Sequence, residues 1–209
     1  MHARRLFAVI PAAGVSRRMG RPKLMLPLGD RTVIRRLLDV LARPGIAARV
    51  VVMRLDDAPL CAEVEAAGAT VIQPEVAPPD MRTSVQHALD AIAERFDPQP
   101  DDGWLLIPAD HPLLDANVLD QLIACWQASD ASILLPEHAG ERGHPTFFRW
   151  SLAEEVRSIP VDRGLNHLVA AHASEIETVS VETPAVLTDL DTPEDYERLR
   201  GMFEAGDAV

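Results

Sequence analysis

Along the first two thirds of the chain, short runs that are apolar throughout alternate with stretches whose apolar residues recur every three to four positions. Leu6–Pro11 is apolar at every position, as expected for a strand buried on both faces of a parallel sheet. Positions 32–43 place Val33, Leu37 and Leu41 at helical spacing with Ile34 and Leu38 beside them, and Pro44-Gly45 stops the pattern. Residues 49–53 read as a second strand, 58–67 as a helix ending at Gly68, and 70–73 as a third strand. Met81, Val85, Leu89 and Ile92 form a stripe on the next helix. Residues 104–108 give a fourth strand, and Val118, Leu119, Leu122, Ile123 and Trp126 share one side of the following helix. Residues 132–135 close the regular series. Such alternation predicts an α/β fold, a Rossmann-like doubly wound and mostly parallel sheet with helices on both faces.

Two proline-rich loops, 74–80 and 97–102, interrupt this series, and past residue 136 the pattern changes. Residues 144–150 and 176–181 read as strands, 164–172 as a helix and 193–203 as a terminal helix. The last has Asp191 or Thr192 as N-cap, Pro193 at its first position, and Glu194 and Asp195 in its first turn. Residues 205–209 read as a frayed tail. The length of 209 residues fits one domain over 1–204, with a change of character near 136.

Composition narrows the function more than the fold. With 47% hydrophobic and 25% charged residues the chain has the balance of a globular protein. A formal net charge of −12 argues against a nucleic-acid partner, because phosphate backbones are held by basic surfaces. It leaves room for a single nucleotide, which needs a local cluster of donors and a divalent cation. Cys61 and Cys125 lie in helix-like apolar stretches and read as buried reduced thiols. The apolar run after the N-terminus enters a glycine loop directly, so it reads as a strand and not a signal peptide. No stretch is long and apolar enough for a membrane helix, which makes the cytoplasm the expected location. Of the 20 basic residues only Lys23 is lysine. A compact ammonium kept in one place suits a crowded phosphate, where a flat guanidinium fits badly.

Lys23 ends a loop that follows the first strand. Gly14 and Gly20 give its backbone access to conformations that let N–H groups converge on an anion. Ser16 adds a hydroxyl, and Arg17, Arg18 and Lys23 add charge. The spacing is neither the dinucleotide G-x-G-x-x-G nor a P-loop, since Lys23 lacks the following Ser or Thr. Asp110, just past the fourth strand, lies where open α/β sheets bind ligands. Asp189 and Asp191, two residues apart, would project from one face of an extended strand. Asp110 with one of that pair would suffice for Mg2+, and helix capping is the other role open to Asp191.

The run Ala12-Ala13-Gly14-x-Ser16-x-Arg18-Met19-Gly20-x-Pro22-Lys23-Leu24 resembles the signature of the molybdenum cofactor cytidylyltransferase and guanylyltransferase group, within the MobA-like NTP transferase superfamily. The resemblance implies that Ala12, Ala13, Gly14, Ser16, Arg17, Arg18, Gly20 and Lys23 wrap the phosphates of a nucleoside triphosphate. Lys23 would contact the α-phosphate and the incoming acceptor, and Ala13 points to CTP, with GTP as the alternative. Asp110-His111-Pro112 stands for the family's Asp-Gln-Pro, which implies a metal-binding Asp110 and departs at His111. Asp189-Leu190-Asp191-Thr192-Pro193-Glu194-Asp195 resembles the family's closing segment, with Asp191 favoured over Asp189 as metal ligand. Ser84 stands in a segment that matches Gly-Met-x-x-Ser except that Asp80 replaces the glycine. Gly143-His144-Pro145 and the loop of Arg163 resemble segments lining an acceptor pocket.

The resulting expectation is a nucleotidyltransferase moving CMP from CTP to the terminal phosphate of a pterin-type cofactor, with release of pyrophosphate. Residues up to about 136 would bind nucleotide and residues 137–204 the acceptor. Lys23, Arg18 and Asp110 would carry the chemistry with Mg2+, or Mn2+ in its place. Two alternatives remain open. One is transfer to another small phosphate, such as a sugar phosphate or phospholactate. The other is a non-catalytic accessory that binds the finished cofactor for a molybdenum oxidoreductase.

Overall fold

The computed structural model describes residues 4–205. In chain order, β1 (Leu6–Pro11) leads through the glycine loop to a small hairpin of β2 (Pro27–Leu28) and β3 (Arg31–Thr32). Then come α1 (Val33–Val40), β4 (Ile46–Val52), α2 (Ala58–Ala66), β5 (Thr70–Ile72), α3 (Met81–Phe96), β6 (Gly103–Leu106) and α4 (Ala116–Ala128). The second part holds β7 (Ile133–His138), β8 (Glu141–Arg142), β9 (Thr146–Arg149), α5 (Glu155–Ser158), α6 (Asn166–Ala171), β10 (Ile176–Ser180) and α7 (Pro193–Ala205). Residues 206–209 of the expected tail lie outside the described residues, and Ala205 ends α7.

The main sheet runs β10-β7-β9-β6-β1-β4-β5, with β8 pairing to β7. β1 pairs in parallel with β4 and β6, β4 with β5, and β10 with β7, while β9 is antiparallel to both β6 and β7. The mostly parallel α/β sheet is therefore as expected, and the antiparallel insertion of β9 is the departure. An all-apolar run tells of burial on two faces, not of direction.

The run in β1 is apolar because helices cover both of its faces. Leu6, Ala8 and Ile10 pack with α1, α2, α4 and α7, whereas Phe7 and Val9 pack with α3, α5 and α6. In α1, Val33, Ile34, Leu37 and Leu38 are buried, and Thr32 caps the helix by accepting the Arg35 N–H. Three expectations need correction. Met81 is 45% exposed and not part of the α3 stripe, because it opens the helix at the rim of a cavity. Cys61 and Cys125 are free but only half-buried. The helix expected over 164–172 is the shorter α6, since Gly164 and Leu165 form the turn that leads into it. Among the described residues no helix is long and apolar enough to cross a membrane.

Candidate active site

Strand order reverses beside β1, where the chain goes to β4 on one side and β6 lies on the other, and ligands of open α/β sheets bind at such a point. Pairing continues past the regular strands: Ile107 N–H donates to Val9, Ala109 N–H to Pro11 and Ala12 N–H to Val52. These bonds hold Asp110 alongside the start of the glycine loop. They also correct one expectation. The Ala12 N–H is spent on the sheet and cannot hold a phosphate, whereas the N–H groups of Ala13, Gly14 and Val15 have no partner among the described residues.

The loop folds back on itself. Ser16 and Gly20 have positive φ values of 49° and 69°, and the Gly20 N–H donates to the Ser16 carbonyl. The Ser16 hydroxyl accepts the Lys23 N–H at 3.3 Å, which leaves its O–H to donate elsewhere. Buried Met19 and Leu24 anchor both arms. Gly14 does not have a left-handed φ; what its missing side chain provides is open space.

Around this loop lies a cavity of about 620 Å3. Its walls come from residues 11–18 with Lys23 and Leu24, from Arg54, from 77–81 with Ser84, and from 108–110 with Asp191. Arg17 and Arg18 are exposed at its edge. Arg54 was not anticipated; it follows β4 at the carboxyl end of a parallel strand, a position that could have flagged it. Ser84 is buried and donates its hydroxyl to the Asp80 carbonyl. The amino end of α3 is not an open anion site, since the Asp80 carboxylate accepts the Thr83 N–H at 2.7 Å and so fills it.

Charge concentrates at one place in the wall. Lys23 Nζ lies 2.5 Å from Asp110 Oδ2 and 2.9 Å from Asp191 Oδ1, and Arg18 Nη2 lies 2.5 Å from Asp191 Oδ2. The Leu190 N–H donates to the Asp110 carbonyl and brings the two carboxylates together. Burial pulls the Lys23 pKa down, but Asp110 and Asp191 outweigh it and raise the value above that of a free lysine. Burial raises Asp191, and its Lys23 and Arg18 partners overcome this and lower it. One ammonium within reach of both carboxylates shows that they can share a single cation, so this pair fits a divalent ion completed by phosphates and water.

Helix capping does not compete for Asp191. Thr192 Oγ1 accepts the Asp195 N–H while Asp195 Oδ2 accepts the Thr192 N–H, so Thr192 caps α7 reciprocally. The Thr192 hydroxyl holds the Asp195 carboxyl down at about 2. The segment carrying Asp189 and Asp191 is not a regular strand, and Leu190 is buried between them. Asp191 reaches the cavity and Asp189 does not. Burial, then Asp191 and Asp110, raise the Asp189 pKa.

The segments expected to face an acceptor are placed differently. His111 and His144 rings lie edge to face, 5.0 Å apart, each with a buried Nδ1 lacking a partner. Burial lowers both, His144 to about 4, which favours the neutral imidazole at neutral pH. Gly143 is buried where an added Cβ would come within 2.5 Å of the Val186 carbonyl oxygen, and Pro145 is buried next to it. Arg163 is exposed and lies 3.7 Å from Asp162. Gly143, His144, Pro145 and Arg163 do not line this cavity, although the His144 ring packs on His111, the neighbour of Asp110.

The family model of the MobA-like NTP transferase domain matches residues 8–176. The purine catabolism protein PucB of Bacillus subtilis is 27% identical over 207 residues, covering 93% of this chain and 96% of PucB. The molybdenum cofactor guanylyltransferase of Rhizobium meliloti is 30% identical over 187 residues, covering 87% of this chain and 80% of that protein. A crystal structure of Rv0371c from Mycobacterium tuberculosis in complex with manganese superimposes with a TM-score of 0.74 at 26% identity, over 94% of this chain and 98% of that one.

Proposed function

The chain belongs to the MobA-like NTP transferase family and is a nucleotidyltransferase, and from that premise we propose that it transfers CMP from CTP to the terminal phosphate of a pterin-type cofactor, releasing pyrophosphate. The observation that carries the transfer chemistry is the meeting of Lys23, Asp110 and Asp191 in the cavity wall beneath a loop of unpaired N–H groups. The catalytic problem is electrostatic, because two anions must approach and a pyrophosphate must leave. The Ala13 to Val15 N–H groups and Arg18 would take the β- and γ-phosphates, and Lys23 would neutralise the α-phosphate. Mg2+, or Mn2+ in its place, would supply Lewis acidity and a template for the phosphates when held by Asp110 and Asp191. The manganese complex of the mycobacterial relative supports a role for a divalent ion.

An oxygen of the acceptor phosphate attacks the α-phosphorus as the bond to the bridging oxygen of the β-phosphate breaks. An ionised phosphate nucleophile needs no general base, and neither His111 nor His144 lines the cavity. Ala13 in the loop favours CTP, and similarity to a guanylyltransferase makes GTP the second reading. The pterin acceptor and delivery of the product to a molybdenum oxidoreductase rest on the family likeness. A thermal-shift panel of nucleoside triphosphates, with and without Mg2+, tests the reading. CTP-specific stabilisation supports it, a GTP preference moves it to guanylyl transfer, and no response to any triphosphate overturns it.

A further inference from the structure

Both carboxylates assigned to a divalent ion are already neutralised by cations of the chain itself. Lys23 bridges them, and Arg18 holds the second oxygen of Asp191. The formal charges of these four groups cancel. A divalent ion arriving alone would meet the ammonium at the position it must occupy. The Lys23 side chain is only 14% exposed there, so solvent screens that repulsion weakly.

The surroundings are built so that only a side chain has to move. The Lys23 backbone is fixed by the Ser16 hydroxyl and by buried Leu24 next to it, and the Asp110 backbone is fixed by Leu190. A triphosphate bound at the unpaired N–H groups of Ala13 to Val15 would offer Lys23 and Arg18 a more negative partner within the same loop. We propose that Lys23 is a latch on the metal site. It keeps Asp110 and Asp191 closed until a nucleoside triphosphate draws the ammonium onto its own phosphates, so nucleotide and divalent ion enter together and the ion alone is excluded. The proposal rests on the nucleotidyl-transfer reading and adds to it an order of events.

Because Lys23 is the single lysine of the chain, isotope-labelled lysine gives one side-chain resonance that reports this contact alone. Millimolar Mg2+ without nucleotide is expected to leave that resonance in place, and a non-hydrolysable CTP or GTP analogue with Mg2+ to move it. In parallel, Lys23→Gln is expected to bind Mn2+ without nucleotide at least about tenfold more tightly than the wild type, measured by electron paramagnetic resonance. The latch is overturned if Mg2+ alone moves the wild-type resonance as far as the nucleotide complex does, or if a folded Lys23→Gln gains no affinity for Mn2+. Should that variant not fold, the wild-type resonance decides. If no triphosphate moves the resonance or raises the melting temperature, the nucleotidyl reading fails and the latch fails with it. A triphosphate response together with free entry of Mg2+ sinks the latch alone.

Discussion

On the β1 side of the molecule, Lys23, Arg18, Asp110 and Asp191 pair with one another at the edge of an open cavity. On the β7–β9 side, the residues of the more weakly matching acceptor segments lie outside that cavity. Gly143 sits under Val186, His144 packs on His111, and Arg163 stands in solvent. The first group is paired internally but lies against a cavity, where a ligand can exchange those pairings. In the second, the Gly143 and His144 N–H groups donate to the Pro136 and Val186 carbonyls. A motif therefore marks where a chain must keep a shape, and only burial and pairing tell whether that shape touches a ligand.

The largest expected effect lies on the β1 side. Asp110→Asn should lower turnover by about a hundredfold to a thousandfold while leaving the melting temperature nearly unchanged, since charge stabilisation at the reacting phosphates is lost and no core contact is. Steady-state kinetics alongside thermal unfolding check this. An active variant would move Asp110 into the structural group and erase the contrast.

Acid should expose the other side. His144 is neutral when folded, with a pKa of about 4 against 6.5 when free, chiefly through burial. Between those values the unfolded chain binds a proton that the folded one refuses. This contribution is complete above pH 6.5 and is lost as pH falls toward 4, by up to roughly 3 kcal/mol. His111, also lowered by burial, adds in the same direction. Urea unfolding between pH 7 and 4 measures the slope, and His144→Asn should flatten it. An unchanged slope would show that His144 is not the buried neutral group it is taken to be here.

Gly143→Ala comes next. Its Cβ would approach the Val186 carbonyl oxygen to 2.5 Å, and relieving that clash should cost about 2 kcal/mol of stability. Nucleotide affinity should stay within about twofold, as the added methyl lies outside the cavity and binding energy is decided by groups that touch the ligand. A selective loss of nucleotide binding would place Gly143 in the site after all.

How much of this the sequence discloses depends on the kind of contact. The β1 run and the α4 stripe follow from periodicity, which is local, and each is where the pattern places it. The loop from Ala12 to Lys23 and Asp110 converge because both follow strands that pair with β1 or belong to it. The antiparallel β9 escapes notice because burial carries no direction. The engaged Ala12 N–H, the covered amino end of α3 and the approach of Gly143 to Val186 all depend on partners distant in the chain or on one substituted residue, Asp80. Residue type says what a group can do, whereas its remaining freedom is a tertiary property.

Lys23→Arg has the smallest effect and separates two uses of one side chain. A guanidinium can still bridge Asp110 and Asp191, with better geometry for two carboxylates than an ammonium has. The metal site should therefore stay closed without nucleotide, and Mn2+ alone should bind no more tightly than it does to the wild type. Arginine is flat and broad where the α-phosphate and the acceptor must both approach. Turnover should fall at least about tenfold, roughly 1.4 kcal/mol of transition-state stabilisation. Kinetics and Mn2+ binding on the same preparation check both halves. Retained closure with lost turnover shows that either cation closes the resting site, while the reacting phosphorus requires a lysine. Near wild-type turnover would mean that any cation of the loop serves, and that the solitary lysine is an accident of an arginine-rich composition.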